Sequence, residues 1–251
     1  MPPNLLILAG TTEATAFARL AAARGITGTV SFAGRVERPL RQPLPQRVGG
    51  FGGAAGLADH LRAERVTHVI DATHPFAARM SHNAVEACTA TGIPLIALTR
   101  PPWQPAPGDR WTCVPDIAGA VATLDGPPLR VMLAVGRMHL AEFAPNPQHH
   151  YLLRLVDPPA APLPLPQTEV IVDRGPFDAA QDRALMERHQ IQIVVSKNAG
   201  GTGAYAKIEA ARALGLPVIM IDRPPQPQRR EAFSPEAVLD WIAHGSTALG
   251  V

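Results

Sequence analysis

Asp71-Ala72-Thr73-His74-Pro75-Phe76-Ala77 is the stretch on which the fold turns. Ahead of it, Val66, Val69 and Ile70 make a nearly continuous apolar run, the pattern of a strand buried on both faces of a parallel sheet. Behind it, residues 77–90 carry a helical period, with Ala77, Met80, Ala84, Ala87 and Cys88 on one face. Pro75 suits a first helical turn. Asp71 and Thr73 therefore fall at the carboxyl end of a strand, the edge where open α/β sheets bind ligands. Thr73 and Pro75 could equally do no more than shape the connection, so the neighbouring turns have to decide.

The same plan runs the length of the chain. Residues 5–9 form an apolar strand ending in Gly10-Thr11-Thr12-Glu13, and a helix follows to residue 23, where Gly25 stops it. A second strand, 29–33, ends in Gly34-Arg35, and residues 36–53, rich in Pro, Gly and Arg, read as a loop. A helix at 57–65 leads to the Asp71 turn, and a strand at 95–98 ends in Thr99-Arg100-Pro101-Pro102-Trp103. Further on, strands at 131–135, 151–156, 170–172, 191–195 and 218–221 are interleaved with helices at 179–189, up to 214, and after Ser234. Gly92-Ile93-Pro94…Arg100-Pro101-Pro102 returns 123 residues later as Gly215-Leu216-Pro217…Arg223-Pro224-Pro225, each copy after a strand, a polar turn and a helix. This alternation predicts an α/β protein of two Rossmann-like halves with parallel sheets and a cleft between them, divided as 1–115 and 116–251.

Composition narrows the function. Hydrophobic residues make up 46% of the 251 and charged residues 18%, a globular balance. A net charge of +2 is too small to draw nucleic acid by bulk attraction. No apolar run approaches a membrane span, and Met1-Pro2-Pro3-Asn4 leads straight into a strand, so a cytoplasmic protein without a membrane partner is expected. Cys88 and Cys113 lack metal-like spacing and read as free core thiols. The nine histidines give no ligand pair beside an acid, and no metal is expected.

Three features suggest chemistry. The turn Gly10-Thr11-Thr12 opens a helix, where backbone N–H groups and the helix dipole favour a phosphate, although it lacks the full glycine fingerprint. Thr12 is either part of that phosphate site or an N-cap. The second strand ends in Ser31-Phe32-Ala33-Gly34-Arg35, with Arg35 where NAD-specific folds carry an acid; this favours a ribose 2′-phosphate, hence NADPH, over a merely solvated arginine. Finally, all basic residues but Lys197 and Lys207 are arginine, and both lysines fall in one segment that starts at a strand end, Ser196-Lys197-Asn198-Ala199-Gly200-Gly201-Thr202-Gly203-Ala204-Tyr205-Ala206-Lys207. A site role is expected for at least one of them.

Gly-Thr-Thr-Glu at 10–13, Asp-Ala-Thr-His-Pro-Phe-Ala at 71–77, Ser-His-Asn-Ala at 81–84, Gly-Ile-Pro at 92–94, Arg-Gly-Pro-Phe at 174–177 and Ser-Lys-Asn-Ala-Gly at 196–200 resemble the precorrin-6A reductase family, in order and over nearly the whole chain. The resemblance implies NADPH-dependent reduction of one double bond of an anionic macrocyclic tetrapyrrole in cobalamin biosynthesis, with hand-over to other corrin-pathway enzymes. The motifs do not separate the metal-free branch from the cobalt-containing one. The N-terminal half would hold NADPH through Gly10, Thr11, Thr12, Ser31, Gly34 and Arg35, with Thr73 and His74 near the nicotinamide. Asp71, Thr73, His74 and Lys197 would be catalytic. Arg137, Arg174, Ser196, Lys197, Asn198, Tyr205 and Lys207 of the C-terminal half would grip the substrate. The rivals are a two-domain nucleotide-sugar transferase, which needs acids near the sugar, and a non-catalytic NADP sensor.

Overall fold

The computed structural model describes residues 2–34, 40–173, 175 and 177–245. The chain begins with β1 (Asn4–Leu8), α1 (Thr12–Ala23), β2 (Thr27–Phe32), β3 (Gln46–Val48), α2 (Gly53–Ala63), β4 (His68–Asp71), α3 (Ala78–Thr91) and β5 (Leu95–Leu98). It continues with β6 (Arg110–Val114), α4 (Ile117–Thr123), β7 (Arg130–Ala134), a 3-10 helix (Arg137–Phe143), β8 (His150–Leu155), β9 (Thr168–Val172) and α5 (Ala179–Arg188). β10 (Ile193–Lys197), α6 (Ala206–Ala213), β11 (Pro217–Ile221), β12 (Arg230–Ala232) and α7 (Pro235–Gly245) complete it.

β1 shows how sequence becomes fold. Its run Leu5-Leu6-Ile7-Leu8 is buried throughout. Because side chains alternate along a strand, Leu5 and Ile7 join Phe17, Ala18 and Ala21 of α1 and Val238 and Ile242 of α7 in one cluster. Leu6 and Leu8 join Leu57 and Leu61 of α2 and Ala84, Ala87 and Cys88 of α3 on the other face. Each fully buried Leu or Ile contributes about 1.5–3 kcal/mol, which makes this strand the axis of its layer.

Both sheets are six-stranded and wholly parallel. The first runs β12-β5-β4-β1-β2-β3 and the second β6-β11-β10-β7-β8-β9. Strand order reverses between β1 and β4 in one and between β7 and β10 in the other, the switch points where such sheets take ligands. The two-Rossmann-half expectation holds. The expected division at 115/116 differs from the compact units, which are residues up to Pro101 with those from Pro225 onward, and Pro102–Pro224. The reason lies in the sequence repeat. After β5, the chain passes Arg100-Pro101-Pro102 and supplies β6 to the edge of the second sheet, beside β11. After β11, it passes Arg223-Pro224-Pro225 and returns β12 to the edge of the first, beside β5. β3 falls in the stretch read as a loop; three residues are too few to show a period.

Candidate active site

The first unit gathers its polar groups at the β1/β4 switch point. Gly10, between β1 and α1, has φ +148°, a conformation side chains rarely adopt, and a Cβ placed there would meet nothing within 4 Å. The backbone is thus open at the start of α1, a shape that fits a phosphate against a helix N-terminus. Thr11, not Thr12, caps α1: its Oγ1 accepts from the Ala14 N–H at 3.1 Å and donates to the Ala72 carbonyl at 2.9 Å. One hydroxyl therefore ties the Gly10 turn to the Asp71 turn. Thr12 is exposed and donates to Glu13 Oε2 at 3.1 Å. Glu13 accepts from Arg100 at 2.6 Å, so its charge is neutralised beside the helix N-terminus.

Asp71 organises the second turn. Its Oδ1 accepts from the Thr73 N–H at 3.2 Å and Thr73 Oγ1 at 2.7 Å; its Oδ2 accepts from Ser81 Oγ at 2.6 Å and from Arg229 Nη1. Its side chain is 1% exposed. Expected among the catalytic residues, Asp71 is enclosed by four donors and offers no face to a ligand. The ends of the turn are held as well: Gln226 Nε2 donates to the Pro75 carbonyl at 2.8 Å, and His74 Nδ1 accepts from the Phe76 N–H at 3.2 Å. That last bond makes Nδ1 the acceptor and assigns the imidazole proton to Nε2.

Ser31, at the end of β2, is buried, and its Oγ accepts from Arg47 Nη1 at 2.9 Å. Arg47 lies in β3 and also donates to the Gly49 and Gly50 carbonyls, while its guanidinium stacks 3.9 Å from the centroid of the Phe51 ring. Three of the five donors of the fork are used this way, leaving two. Burial lowers its pKa from the ordinary arginine value, and Arg47 in turn, after desolvation, lowers that of His60, whose ring lies 5.0 Å from Phe51. Gly34 follows β2 with φ +76° and is exposed. Arg35 lies outside the described residues. Sequence reading missed Arg47 because β3 was missed, and missed Arg229 because nothing local marks it; only the return of the chain brings it to Asp71.

The second unit is built on the β7/β10 switch point. Gly136, at φ +83°, turns the chain out of β7, and Arg137 follows it, exposed and with no ion-pair partner among the described residues. Lys197, half-buried, ends β10. Of these two expected cations, Lys197 closes β10 and Arg137 opens the 3-10 helix that follows the adjacent β7, whose Ala134 pairs in register with Ser196. Arg174 lies outside the described residues. The remaining expected contacts are turned to other uses. Ser196 is fully buried, its Oγ donating to the Lys197 carbonyl at 3.2 Å. Asn198 is buried with its amide spent on the Trp103 backbone: Oδ1 accepts the N–H at 2.7 Å and Nδ2 donates to the carbonyl at 3.0 Å. Tyr205 accepts from Arg212 at 2.6 Å, and Arg212 also pairs with Asp109.

Lys207 is the clearest correction. It is buried, donates to the Ala204 carbonyl at 2.6 Å and lies 5.1 Å from the Trp103 ring centroid. Burial and the Arg154 charge lower its pKa to about 8, with Asp182 opposing. Arg154 pairs with Asp182 at 2.6 Å, and desolvation raises the Asp182 pKa in spite of that pair. Lys207 is a lysine of the unit's interior, beside Trp103, and not a hand held out to a ligand. The described residues contain no cluster of potential metal ligands and no helix long and apolar enough to cross a membrane.

Known proteins bear on these turns. The family described as "Precorrin-6x reductase CbiJ/CobK" matches residues 4–243. A precorrin-6A reductase of Rhodobacter capsulatus is 56% identical over 249 residues, covering 99% of each chain. One from a Sinorhizobium species is 48% identical, covering 96% of this chain and 93% of the relative. The solved structure titled "CobK precorrin-6A reductase" superposes with a TM-score of 0.94 at 56% identity over 96% of each chain. The motifs at the two switch points thus lie in a fold and a sequence shared end to end with these enzymes, and the chain belongs to the precorrin-6x reductase family.

Proposed function

We propose that this protein uses NADPH to reduce one carbon–carbon double bond of precorrin-6A, a macrocyclic tetrapyrrole with several acetate and propionate groups, in the cytoplasmic synthesis of cobalamin. The relatives described above are named for the metal-free substrate, which favours it over the cobalt-containing analogue. The observation that carries the reading is the β1/β4 switch point, where the open Gly10 turn adjoins a turn presenting Thr73 and His74, with Ser31 and Arg47 at the ends of the next two strands.

When bound, NADPH supplies the hydride. Gly10 and the first turn of α1 would receive its pyrophosphate. Arg47, already fixed by Ser31 and Phe51, has donors left for a 2′-phosphate, and its fork suits that group. Arg35 is proposed to share that task. Thr73 is held in place by Asp71, and His74 holds a proton at Nε2. In the second unit, Arg137 and Lys197 would bind substrate carboxylates as charge-assisted pairs.

The test mixes the protein with NADPH and a panel of tetrapyrrole intermediates while the reduced-nicotinamide absorbance is followed. Consumption is expected with precorrin-6A, and none with any intermediate would overturn the proposal. Cofactor choice is tested by Arg47→Ala. One charge-assisted hydrogen bond is worth about 1.5–3 kcal/mol, so NADPH should bind roughly 10- to 150-fold more weakly, with NADH little changed. Equal losses for both would make Arg47 a structural residue only.

A further inference from the structure

We propose that Arg229 is a positioning residue for hydride transfer, acting through Asp71 on the turn that presents Thr73 and His74. The proposal rests on the NADPH reading and deepens it. Arg229 belongs to the segment between the second Arg-Pro-Pro and β12, far along the chain from the turn it serves. Its side chain is 7% exposed and meets that of Asp71, itself 1% exposed. A charge pair this deep is costly to desolvate and is poor evidence of a stabilising device. Geometric definition of the turn is the better account.

The hydrogen bonds show what is defined. Arg229 Nη1 and Ser81 Oγ occupy Asp71 Oδ2, which leaves Oδ1 to Thr73 alone, through both its N–H and its hydroxyl. The carboxylate cannot rotate without breaking four bonds, so Thr73 is fixed at backbone and side chain together. Three residues earlier on the same returning segment, Gln226 holds the Pro75 carbonyl at 2.8 Å. The turn is thus clamped at both ends by one stretch of chain. Arg229 Nε is buried without a hydrogen-bond partner among the described residues, and Glu231 Oε1 stands 3.6 Å from it. The guanidinium therefore sits where Asp71 needs it even though its own Nε goes unsatisfied. A misplacement of about 1 Å at a reacting centre can lower turnover by about a hundredfold, so a residue that never touches the ligand can still set kcat.

Removing Arg229 alone would strand a buried carboxylate and threaten the fold. Two variants avoid this: Arg229→Lys, which keeps the charge and loses the fork, and the double variant Asp71→Asn with Arg229→Met, which removes both charges. Folding is followed by circular dichroism, NADPH affinity by fluorescence, and the chemical step by single-turnover oxidation of NADPH and of NADPH deuterated at the transferred position. In both folded variants, kcat is expected to fall at least tenfold, with the NADPH dissociation constant within about threefold of wild type and a larger isotope effect on turnover, as hydride transfer becomes limiting. Wild-type kcat in the folded double variant would overturn the proposal, as would a loss confined to NADPH affinity. A double variant that does not fold would also overturn it, because the pair would then be a requirement of the fold. Wild-type protein that binds no NADPH would instead overturn the reductase reading, a separate and recognisable result.

Discussion

An ammonium enclosed by protein is disfavoured, and Lys207 carries that cost inside the second unit, with the Ala204 carbonyl and the Trp103 ring as partial compensation. Its pKa is lowered from the ordinary lysine value to about 8. Between about pH 8 and about pH 10.5, the unfolded chain still binds a proton that the folded chain has released. Stability contributed by this group therefore rises as pH climbs through that window, and below it the buried charge is a standing penalty. Burial raises Cys88 and Tyr151 to about 12, and these groups act in the opposite direction at high pH, but equally in any Lys207 variant. The stability of wild type minus that of Lys207→Met, from urea midpoints, should thus increase with pH over this range. A flat difference would mean that the ammonium is solvated. At this scale the sequence was half legible. The scarcity of lysine singled out two positions; whether each faces a ligand or the interior depends on packing that no local pattern records. Lys197 ends β10, the strand next to β7, while Lys207, at the start of the following helix, turns inward.

Among the elements, those with four or more apolar residues in a row were legible, as β1 and β5 show. β3 was not, yet it carries Arg47, and its placement relies on the turn that follows it. Gly56, inside α2, shows how tightly that turn is drawn: a Cβ at this position would lie 1.8 Å from the Phe51 carbonyl oxygen, which is backbone and must move. Phe51 in turn supports the Arg47 guanidinium. Gly56→Ala should therefore keep the other helices, lower the melting temperature by several degrees, and weaken NADPH relative to NADH in the same sense as Arg47→Ala, by no more than that variant does. A variant with unchanged cofactor preference would show that the Phe51 turn does not govern Arg47.

For the whole molecule, the near-repeat at 92 and 215 pointed to two like halves, but not to where each half closes. Local pattern fixes which segments are strands; which sheet receives an edge strand depends on contacts made after the linker, and the two Arg-Pro-Pro linkers read alike. The exchange of β6 and β12 has an unequal consequence. Pro102–Pro224 is one continuous stretch holding all six strands of its sheet, whereas the first unit needs residues from Pro225 onward for its edge strand and for α7, which covers Phe17, Ala18 and Ala21. A fragment of residues 102–224 should melt cooperatively by itself. A fragment of residues 1–101 should not, because it leaves that apolar face exposed and the β5 edge unpaired. Adding residues 225–251 as a separate peptide should restore the transition. Trp241 makes the docking visible: the first fragment has no tryptophan, and in the folded unit that ring stands edge-on to His68 at 5.4 Å, so its emission should shift on binding. Cooperative melting of 1–101 alone would reduce the returning segment to an accessory. It would also uncouple the folding of the first unit from Arg229, which reaches Asp71 only because that segment comes back.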